Sequence, residues 1–316
     1  MPTLYETSKN STPAITFYLT SRSLAKAQAG THEMFNAVRT LGEHRNFEVK
    51  AARISSQARD RVTPAARTLT HMANPVGHNG LVFRRLYAGR FWQFDYMSAR
   101  WNWAIARAKF DPNIIDKTKS LEFFDQWRDH LYPNAVQNTA DVGFIYMPLQ
   151  GRLLLHRSFQ VMSPIMMIQH TLQNTTKPIV ATLHPNETYS DAEMAALHTL
   201  QDQHARFAIE QLPMEQALAT CSYVVTQNSS AAFHAMFWGK LSVLFAGIDF
   251  HHICINVASL GAQRAFELVQ TARPQFAAFL YWYWKLNAVD LDDQHLTSVL
   301  AQKLTSLGWE FQEQND

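Results

Sequence analysis

Short apolar segments alternate with helical patterns throughout the second half of the chain. Continuous apolar runs of this length are typical of strands that are buried on both faces, as in parallel sheets. The pattern predicts strands over residues 142–147, 178–183, 207–212, 223–226 and 241–246, and helices over 164–172, 191–205, 214–219, 229–238, 274–286 and 295–307. Strands that alternate with helices indicate parallel β–α units. We therefore predict a Rossmann-like domain here, with two helices closing the chain.

The first half of the chain has a less regular pattern. Strands are predicted over 15–20 and 47–54, with a helical pattern between them. Residues 81–95 alternate well enough to predict another strand, or a hairpin around Gly89. Residues 96–131 carry many aromatic side chains among charged ones, which favours packed helices. The first half is therefore also of the α/β class.

Length and composition limit the class of protein. At about 100 to 200 residues per domain, a chain of 316 residues predicts about two domains. With 47% hydrophobic and 17% charged residues, the chain is too apolar for intrinsic disorder. A net charge of +2 gives no global field for nucleic acid, so we expect no nucleic-acid partner.

The two cysteines and the apolar runs bear on the compartment. Cys221 and Cys254 lack the spacing of a zinc site or of a disulfide framework, so we expect no metal and a reducing cytoplasm. The beginning of the chain lacks an apolar signal core, and no run of about 18 apolar residues occurs. We expect a cytoplasmic protein that is at most peripheral to a membrane.

A His-Pro dipeptide follows the strand predicted over 178–183. In doubly wound folds, ligands bind beyond the carboxyl ends of the strands. At such a position His184 could donate to a phosphate oxygen or protonate a leaving phosphate, while Pro185 restricts the turn. One such dipeptide can readily occur by chance in a chain with 14 histidines and 12 prolines, so an ordinary loop histidine is the alternative.

A run of small polar residues follows the strand predicted over 223–226. Asn228, Ser229 and Ser230 stand directly before a predicted helix, where hydroxyls and free amides can hold an anion without a net basic charge. Helix capping without any ligand explains the same residues almost as well. Both motifs follow strands of one predicted sheet, and we therefore expect them to open onto the same edge.

A third element follows the first strand of this half. Gln150 could reach a sugar or a base, and Arg152 and Arg157 are candidate partners for a carboxylate or a phosphate. Ordinary surface arginines are the alternative for each. His234 and the pair at 251–252 have no partner at ligand spacing, so we interpret them as packing or surface histidines.

Taken in order, these elements resemble the capsule polysaccharide biosynthesis and export family, which includes bacterial transferases of the acidic keto-sugar Kdo. The matching stretches are IYMPLQ at 145–150, VATLHP at 180–185, YVVTQNSSAAFHAMFWGK at 223–240 and FLYWYWKL at 279–286. The resemblance implies a GT-B-like fold, with two Rossmann-like domains facing a cleft. Residues 1–138 would form the acceptor domain, and residues 139–316 would bind the nucleotide-sugar donor.

The resemblance also implies roles for individual residues. His184 would contact or protonate the CMP phosphate as the leaving group, and Pro185 would set its loop. Ser229 and Ser230, with Asn228 beside them, would hold the phosphate and nucleotide. Gln150 would line the cleft. Arg152 and Arg157, chosen for their residue type alone, are further candidates for the cleft or the sugar.

Two positions depart from the family pattern. Leu154 stands where Kdo-transferring members carry an aspartate, which acts as the nucleophile in retaining enzymes, so that retaining route is not available. His234 stands where a glutamate is common, which puts nucleotide recognition in question. Asp95, Asp111 and Asp125 are candidate bases for an inverting reaction, but capping or surface roles explain all three better, and we select none of them as the base.

We therefore expect a glycosyltransferase of bacterial surface polysaccharide assembly that uses a CMP-activated acidic sugar and a glycan or lipid-linked acceptor. No permanently bound cofactor is expected, and assembly proteins at the inner membrane are candidate partners. The alternatives are a non-catalytic glycan- or nucleotide-binding component of assembly or export, and a GT-B-like enzyme that uses a UDP- or GDP-sugar. A fourth interpretation treats all these residues as caps and core.

Overall fold

The computed structural model describes residues 13–60, 62–63 and 65–311. The chain divides into two compact units, each of the predicted α/β class. Of the described residues, the first unit contains those up to Ala99 and those from Asn287 onward, and the second contains Arg100–Leu286. No helix within the described ranges combines the length and the hydropathy needed to cross a bilayer.

The strands are β1 (Ala14–Leu19), β2 (Glu48–Arg53), β3 (Arg67–His71), β4 (Gly80–Arg85), β5 (Phe91–Asp95), β6 (Ile145–Leu149), β7 (Ile179–Leu183), β8 (Phe207–Ile209), β9 (Tyr223–Thr226), β10 (Ser242–Leu244), β11 (Ile255–Asn256) and β12 (Val289–Asp290). The α-helices are α1 (Ser21–Gln28), α2 (Glu33–Arg45), α3 (Ser56–Asp60), α4 (Ala104–Arg107), α5 (Lys117–Leu131), α6 (Ala135–Asn138), α7 (Pro164–Asn174), α8 (Asp191–Gln203), α9 (Met214–Thr220), α10 (Ala231–His234), α11 (Val257–Leu260), α12 (Ala262–Leu268), α13 (Phe276–Leu280) and α14 (Leu296–Ser306). Single 3₁₀ turns cover Arg100–Asn102, Pro112–Ile114, Ala235–Trp238 and His251–Ile253, and a π-helical segment covers Tyr281–Leu286.

The first unit is built on a sheet with the strand order β12–β5–β4–β3–β1–β2. Strands β1 to β4 are parallel to one another. β5 is antiparallel to both of its neighbours, β4 and β12. Phe17, Leu69 and Phe83 of three neighbouring strands are fully buried in its core. Helices α2 and α14 cover the same core, to which α14 contributes Leu300 and Leu304.

The second unit is built on a fully parallel sheet with the strand order β11–β10–β9–β6–β7–β8. The first strand of this sheet in the sequence, β6, therefore lies between its second and its fourth. This is the strand order of a Rossmann sheet, and the direction of winding reverses between β6 and β9. Ligands of such sheets bind beyond the carboxyl ends of the strands at this reversal. The predicted Rossmann-like sheet is thus confirmed.

The strand that precedes Gln150 lies further along the chain than the pattern predicted. It covers Ile145–Leu149 rather than 142–147. Residues 142 and 143 instead belong to a turn in which the Asp141 carboxylate accepts the Gly143 N–H at 2.9 Å, and Gly143 has a φ of +95°. Because the strand ends at Leu149, Gln150 comes directly after its carboxyl end.

Two strands of the first unit were not predicted, β3 and β12. β3 has the sequence RTLTH, which is too polar to show the hydrophobic pattern of a strand, although it pairs with β1 on one side and β4 on the other. β12 has two residues, too few to show a period. The segment 81–95 is a hairpin, one of the two forms its pattern allowed.

The compact units also differ from the predicted boundary between 138 and 139. Helix α5 belongs to the second unit, because its aromatic side chains pack on the π-helical segment there: Phe123 meets Tyr281 and Trp127 meets Trp284, with ring centroids 5.6 and 5.3 Å apart. The final helix, α14, returns to the first unit because its apolar face is buried in the core of that unit.

Candidate functional site

The three motifs singled out in the sequence lie at one edge of the second sheet. Gln150 follows β6, His184 follows β7, and Asn228 to Ser230 follow β9. These strands are neighbours in the order β9–β6–β7, so their carboxyl ends are adjacent. At the reversal itself, the Thr226 hydroxyl donates to the Pro148 carbonyl at 3.1 Å and ties β9 to β6.

His184 lies in an exposed turn with its ring held in one orientation. Its Nδ1 accepts the backbone N–H of Asn186 at 3.2 Å, and its carbonyl accepts the N–H of Glu187 at 3.1 Å. Because Nδ1 serves as an acceptor, the neutral ring carries its hydrogen on Nε2. His184 can therefore offer an N–H donor to a ligand at the edge of the sheet.

Tyr189 fixes the position of His184 relative to β6. Its hydroxyl accepts the His184 backbone N–H at 2.8 Å and donates to the Leu149 carbonyl at 3.4 Å. Burial raises the pKa of this half-buried hydroxyl, so it remains a neutral donor and acceptor at neutral pH. Tyr189 could not be identified from the sequence, because its contact with β6 joins residues that are 40 positions apart and belong to no recognisable motif.

Another tie holds the loops after β6 and β7 together. Glu193 forms a capping box with Ser190 at the start of α8, with hydrogen bonds of 2.9 Å to the Ser190 N–H and hydroxyl. The second carboxylate oxygen of Glu193 accepts the N–H of Leu153, in the loop after β6. These hydrogen bonds, first of all the one from the Ser190 N–H, lower the pKa of Glu193 and keep it ionised.

The two serines after β9 differ in whether they cap the following helix. The Ser229 hydroxyl accepts the Ala231 N–H at 3.2 Å, so this residue does cap the following turn. Ser230 has helical backbone angles, makes no side-chain cap bond and is exposed. The buried Asn228 amide donates to the Gly247 carbonyl at 3.3 Å. The hydroxyl hydrogens of both serines remain available as donors.

Gly151, which directly follows Gln150, is closely covered by a carboxylate. A Cβ at this position would collide with the carboxylate of Glu187, from the turn after β7. The next residue, Arg152, is exposed and has a φ of +63°, a left-handed conformation that costs a non-glycine residue roughly 1 kcal/mol. A carboxylate that the sequence analysis had not singled out therefore lies beside the candidate site.

Arg157 is half-buried and is supported by an aromatic stack. Its guanidinium lies 4.8 Å from the ring centroid of Phe159, which stacks on Trp101 at 4.7 Å. Phe159 accepts the Gly247 N–H at 2.8 Å. Because Asn228 bonds to the carbonyl of the same glycine, the loop that carries Arg157 lies next to the end of β9.

A buried ion-pair network anchors the segment after β10 that contains Gly247. The Asp249 carboxylate is fully buried, accepts the Tyr283 hydroxyl at 2.6 Å and lies 3.7 Å from the Arg100 guanidinium. Tyr283 belongs to the π-helical segment of the FLYWYWKL stretch. This stretch therefore contributes to the site indirectly, by holding the segment on which Asn228 and Phe159 rest.

His234 and the pair His251–His252 are packing residues. His234 Nδ1 lies 2.7 Å from the Tyr132 hydroxyl, and burial lowers the pKa of His234 to about 4. His251 and His252 stack on each other and donate from Nε2 to backbone carbonyls at 2.8 Å. In the part of the chain that the structure describes, no group of three His, Cys, Asp or Glu residues could hold a metal ion.

Leu154 lies in the same loop as Arg152 and is 51% exposed. Asp111 caps the 3₁₀ turn at 112–114, and Asp125 pairs with Arg128 at 2.9 Å on α5. Asp95 is buried and accepts the Tyr96 N–H at 2.8 Å. Each of these three carboxylates thus has a local structural partner.

The comparisons with known proteins concern the fold. No model of a known protein family matches the sequence, and no curated protein matches it either. Among solved structures, the β-Kdo 2,7 transferase of KpsC from Thermosulfurimonas dismutans matches with a TM-score of 0.53 and 10% identity, over 94% of this chain and 100% of that chain. The chain has the fold of a Kdo transferase.

The predicted GT-B-like class, with two Rossmann-like units, is confirmed by this match and by the two sheets. The β-Kdo 2,4 transferase of the same KpsC matches with a TM-score of 0.43 and 12% identity, over 85% of this chain and 89% of that chain. A Staphylococcus aureus MnaA–UDP structure matches with a TM-score of 0.36 and 10% identity, over 96% and 99%. At such low identity, the Kdo-transferase match describes a fold and assigns no activity.

Proposed function

We propose that the protein is a glycosyltransferase of bacterial surface polysaccharide assembly, which transfers an acidic sugar from a CMP-activated donor to a glycan or lipid-linked acceptor. One observation carries the proposal. His184 and the pair Ser229–Ser230 follow the two strands that flank β6, at the reversal of the Rossmann sheet. The Kdo-transferase fold and the ordered sequence motifs support the choice of sugar and nucleotide.

The spacing of the strands suits a phosphate. Strands β7 and β9 lie one on each side of β6, which places them about 10 Å apart at a typical strand spacing of about 4.8 Å. Side chains that extend inward from both ends can reach a single phosphate group held over Gln150. The His184 Nε2–H and the serine hydroxyls are all neutral donors, so the pocket would need no net positive charge.

These donors match the charge that changes during transfer. As the bond from the anomeric carbon to the phosphate oxygen breaks, negative charge develops on CMP and positive charge on the sugar. Donors aimed at the phosphate stabilise the departing CMP more than the bound substrate. The acceptor hydroxyl forms the new bond to the anomeric carbon and gives its proton to a base. Glu187, beside Gly151, is a carboxylate at this edge of the sheet.

Leu154 favours a second candidate function, a non-catalytic component that binds a nucleotide or a glycan. An exposed leucine cannot act as a nucleophile, and His234 has a buried tyrosine as its partner instead of offering a carboxylate. Such a protein would bind CMP without any sugar transfer. We propose a cytoplasmic location in either case, with polysaccharide assembly proteins at the inner membrane as partners. For the transferase, we propose that the first unit binds the acceptor.

The test is nucleotide binding by the wild type and by matched variants. Thermal-shift and calorimetric titrations compare CMP, UDP and GDP on the wild type, on His184→Ala and on the double variant Ser229→Ala/Ser230→Ala. His198→Ala, at an exposed position on α8, is the control. A ligand present at 100 times its dissociation constant stabilises the native state by about 2.7 kcal/mol.

We expect CMP to raise the unfolding temperature of the wild type and of the control, and to have little effect on the other two variants. Release of CMP from CMP-Kdo in the presence of a lipid-linked acceptor then separates transfer from binding alone. Preference for UDP or GDP would favour a different sugar donor. Absence of binding by all three nucleotides to a folded wild type would contradict the donor site.

A further inference from the structure

Three side-chain N–H groups in the loop after β6 are buried and have no acceptor. They are Arg157 Nε, Arg157 Nη2 and Gln160 Nε2. Gln160 is only 6% exposed, so water does not easily replace a missing partner. A buried donor without an acceptor has lost its hydrogen bonds to water and gained none in return, and most buried polar groups in native proteins avoid this, so three in one loop are an unusual arrangement.

The orientation of these groups is set by their other contacts. The Gln160 Oε1 accepts the backbone N–H of Arg157 at 2.8 Å, so the amide nitrogen is the free end of that side chain. The guanidinium carbon of Arg157 lies over the ring of Phe159, 4.8 Å from the ring centroid, so the aromatic ring covers one side of the group. Nε and Nη2 share one edge of a guanidinium, and this edge binds a carboxylate through two parallel hydrogen bonds.

All three free groups are donors, which indicates an anion as the missing partner. Burial, and after it the charge of Arg152, lower the pKa of Arg157, while Glu187 acts in the opposite direction. An anion seated on the free edge would compensate the burial of the guanidinium. A neutral ligand would leave part of that charge without compensation.

The position of the free edge distinguishes a sugar carboxylate from the nucleotide phosphate. In a CMP-activated 2-keto acid, the carboxylate and the leaving phosphate are attached to the same carbon, so their pockets must be neighbours. Gly247 lies between the two groups of residues. Its carbonyl accepts the side-chain amide of Asn228, which precedes the serine pair, and its N–H donates to the carbonyl of Phe159, which contacts Arg157.

We propose that Arg157 and Gln160 form the pocket for the carboxylate of the transferred sugar, separate from the phosphate donors of His184 and the serine pair. The inference rests on the proposed function and extends it, because it names the residues that would select an acidic sugar. Trp101 and Phe159 act as positioning residues beneath the guanidinium. A Cβ at Gly247 would lie 2.8 Å from the Trp101 Cβ, so the stack leaves no room for a side chain there.

The test measures the preference for an acidic sugar over the bare nucleotide. Calorimetry without acceptor compares CMP with freshly prepared CMP-Kdo and CMP-N-acetylneuraminate, which both carry a carboxylate on the anomeric carbon. The variants are Arg157→Gln, which removes the two-donor edge, and Gln160→Glu, which keeps the acceptor for the Arg157 N–H but replaces the free donor with a negative oxygen. Arg264→Gln, an exposed position on α12, is the control.

We expect the wild type and the control to bind at least one CMP-sugar roughly 10- to 100-fold more tightly than CMP, the range of a charged hydrogen-bonded pair. Both variants should lose this preference while their affinity for CMP stays unchanged.

Three other results would contradict the proposal. A wild type that binds CMP but prefers neither CMP-sugar overturns the carboxylate pocket and leaves the donor site standing. If Arg157→Gln weakens CMP and the CMP-sugars equally, the arginine serves the nucleotide. If the folded wild type binds no CMP at all, the proposed function fails together with the pocket.

Discussion

The contact between His234 and Tyr132 predicts a pH dependence of stability that one substitution should remove. His234 is buried and its Nδ1 lies 2.7 Å from the tyrosine hydroxyl, so the folded protein holds the ring neutral. Gln in place of His234 retains an acceptor for that hydroxyl but cannot take up a proton. The difference between wild type and His234→Gln therefore isolates the protonation of one buried imidazole.

The magnitude follows from the two pKa values of His234. Its pKa is lowered from 6.5 to about 4 in the fold by burial. The unfolded chain thus binds a proton at a higher pH than the native protein, and the free energy of unfolding falls as the pH drops from about 6.5 towards 4. Integrated between pH 7.5 and pH 5.0, this linkage lowers the stability by about 2 kcal/mol.

The assay is urea unfolding, followed by tryptophan fluorescence, at several pH values from 7.5 to 5.0. His71 and His252 also have pKa values lowered to about 4, and they destabilise the wild type and the variant alike. Only the difference between the two proteins is therefore compared. We expect the wild type to lose about 2 kcal/mol more than His234→Gln over this range. Equal losses in the two proteins would refute a neutral, buried His234.

Three further substitutions test the supports of the site. Tyr189→Phe removes the hydroxyl that bonds to both His184 and β6. We expect urea unfolding to show a loss of about 0.5–1.5 kcal/mol in the free energy of unfolding, and calorimetry to show weaker CMP binding. Unchanged CMP binding would contradict the positioning role of Tyr189. Gly247→Ala forces its new methyl group against Trp101, and we expect urea unfolding to show a loss of about 1–3 kcal/mol in the free energy of unfolding. Calorimetry should also show a weaker preference for acidic sugars over CMP. Unchanged stability and preference would show that the stack of Phe159 and Trp101 adapts to the methyl group. Tyr283→Phe leaves a buried carboxylate without its 2.6 Å donor, and we expect urea unfolding to show a loss of about 1.5–3 kcal/mol; a loss below about 0.5 kcal/mol would show that the network is unimportant.

The elements of the second sheet could be predicted because they are short, apolar and separated by helical patterns. The carboxyl ends of β7 and β9 were placed correctly, at Leu183 and Thr226. The start of β6 was misplaced because Val142 is apolar like the strand but is 65% exposed in a turn. Hydrophobic pattern does not distinguish a buried residue from an exposed one at a single position.

The organisation of the two units could not be predicted from the same signals. β3 forms because a strand on each side satisfies its backbone, although its own residues are mostly polar. α14 follows the second unit in the sequence but packs in the core of the first. Both outcomes depend on partners distant in the chain, which a local period cannot reveal.

Some residues of the candidate site could be identified from the sequence, and others only from their contacts in the fold. Motifs at strand ends pointed to His184 and to the serine pair, and the arginines of the loop after β6 were singled out by residue type. Tyr189 and Gln160 were missed, because their importance lies in what they touch. That the free edge of Arg157 has no acceptor is also visible only from the packing around it.

Composition and local pattern were thus sufficient for the α/β class, the parallel sheet and the residue types at its carboxyl edge. The strands, the helices and the residue types are local features of the sequence, and the alternation of strand with helix favours parallel pairing. The pairing of β6 with β9 joins segments almost 80 residues apart and creates the reversal at which the motifs meet, as in the hydrogen bond from Thr226 to Pro148. Tertiary packing settled that pairing, because burial and hydrogen bonding across the whole unit determine which strands become neighbours.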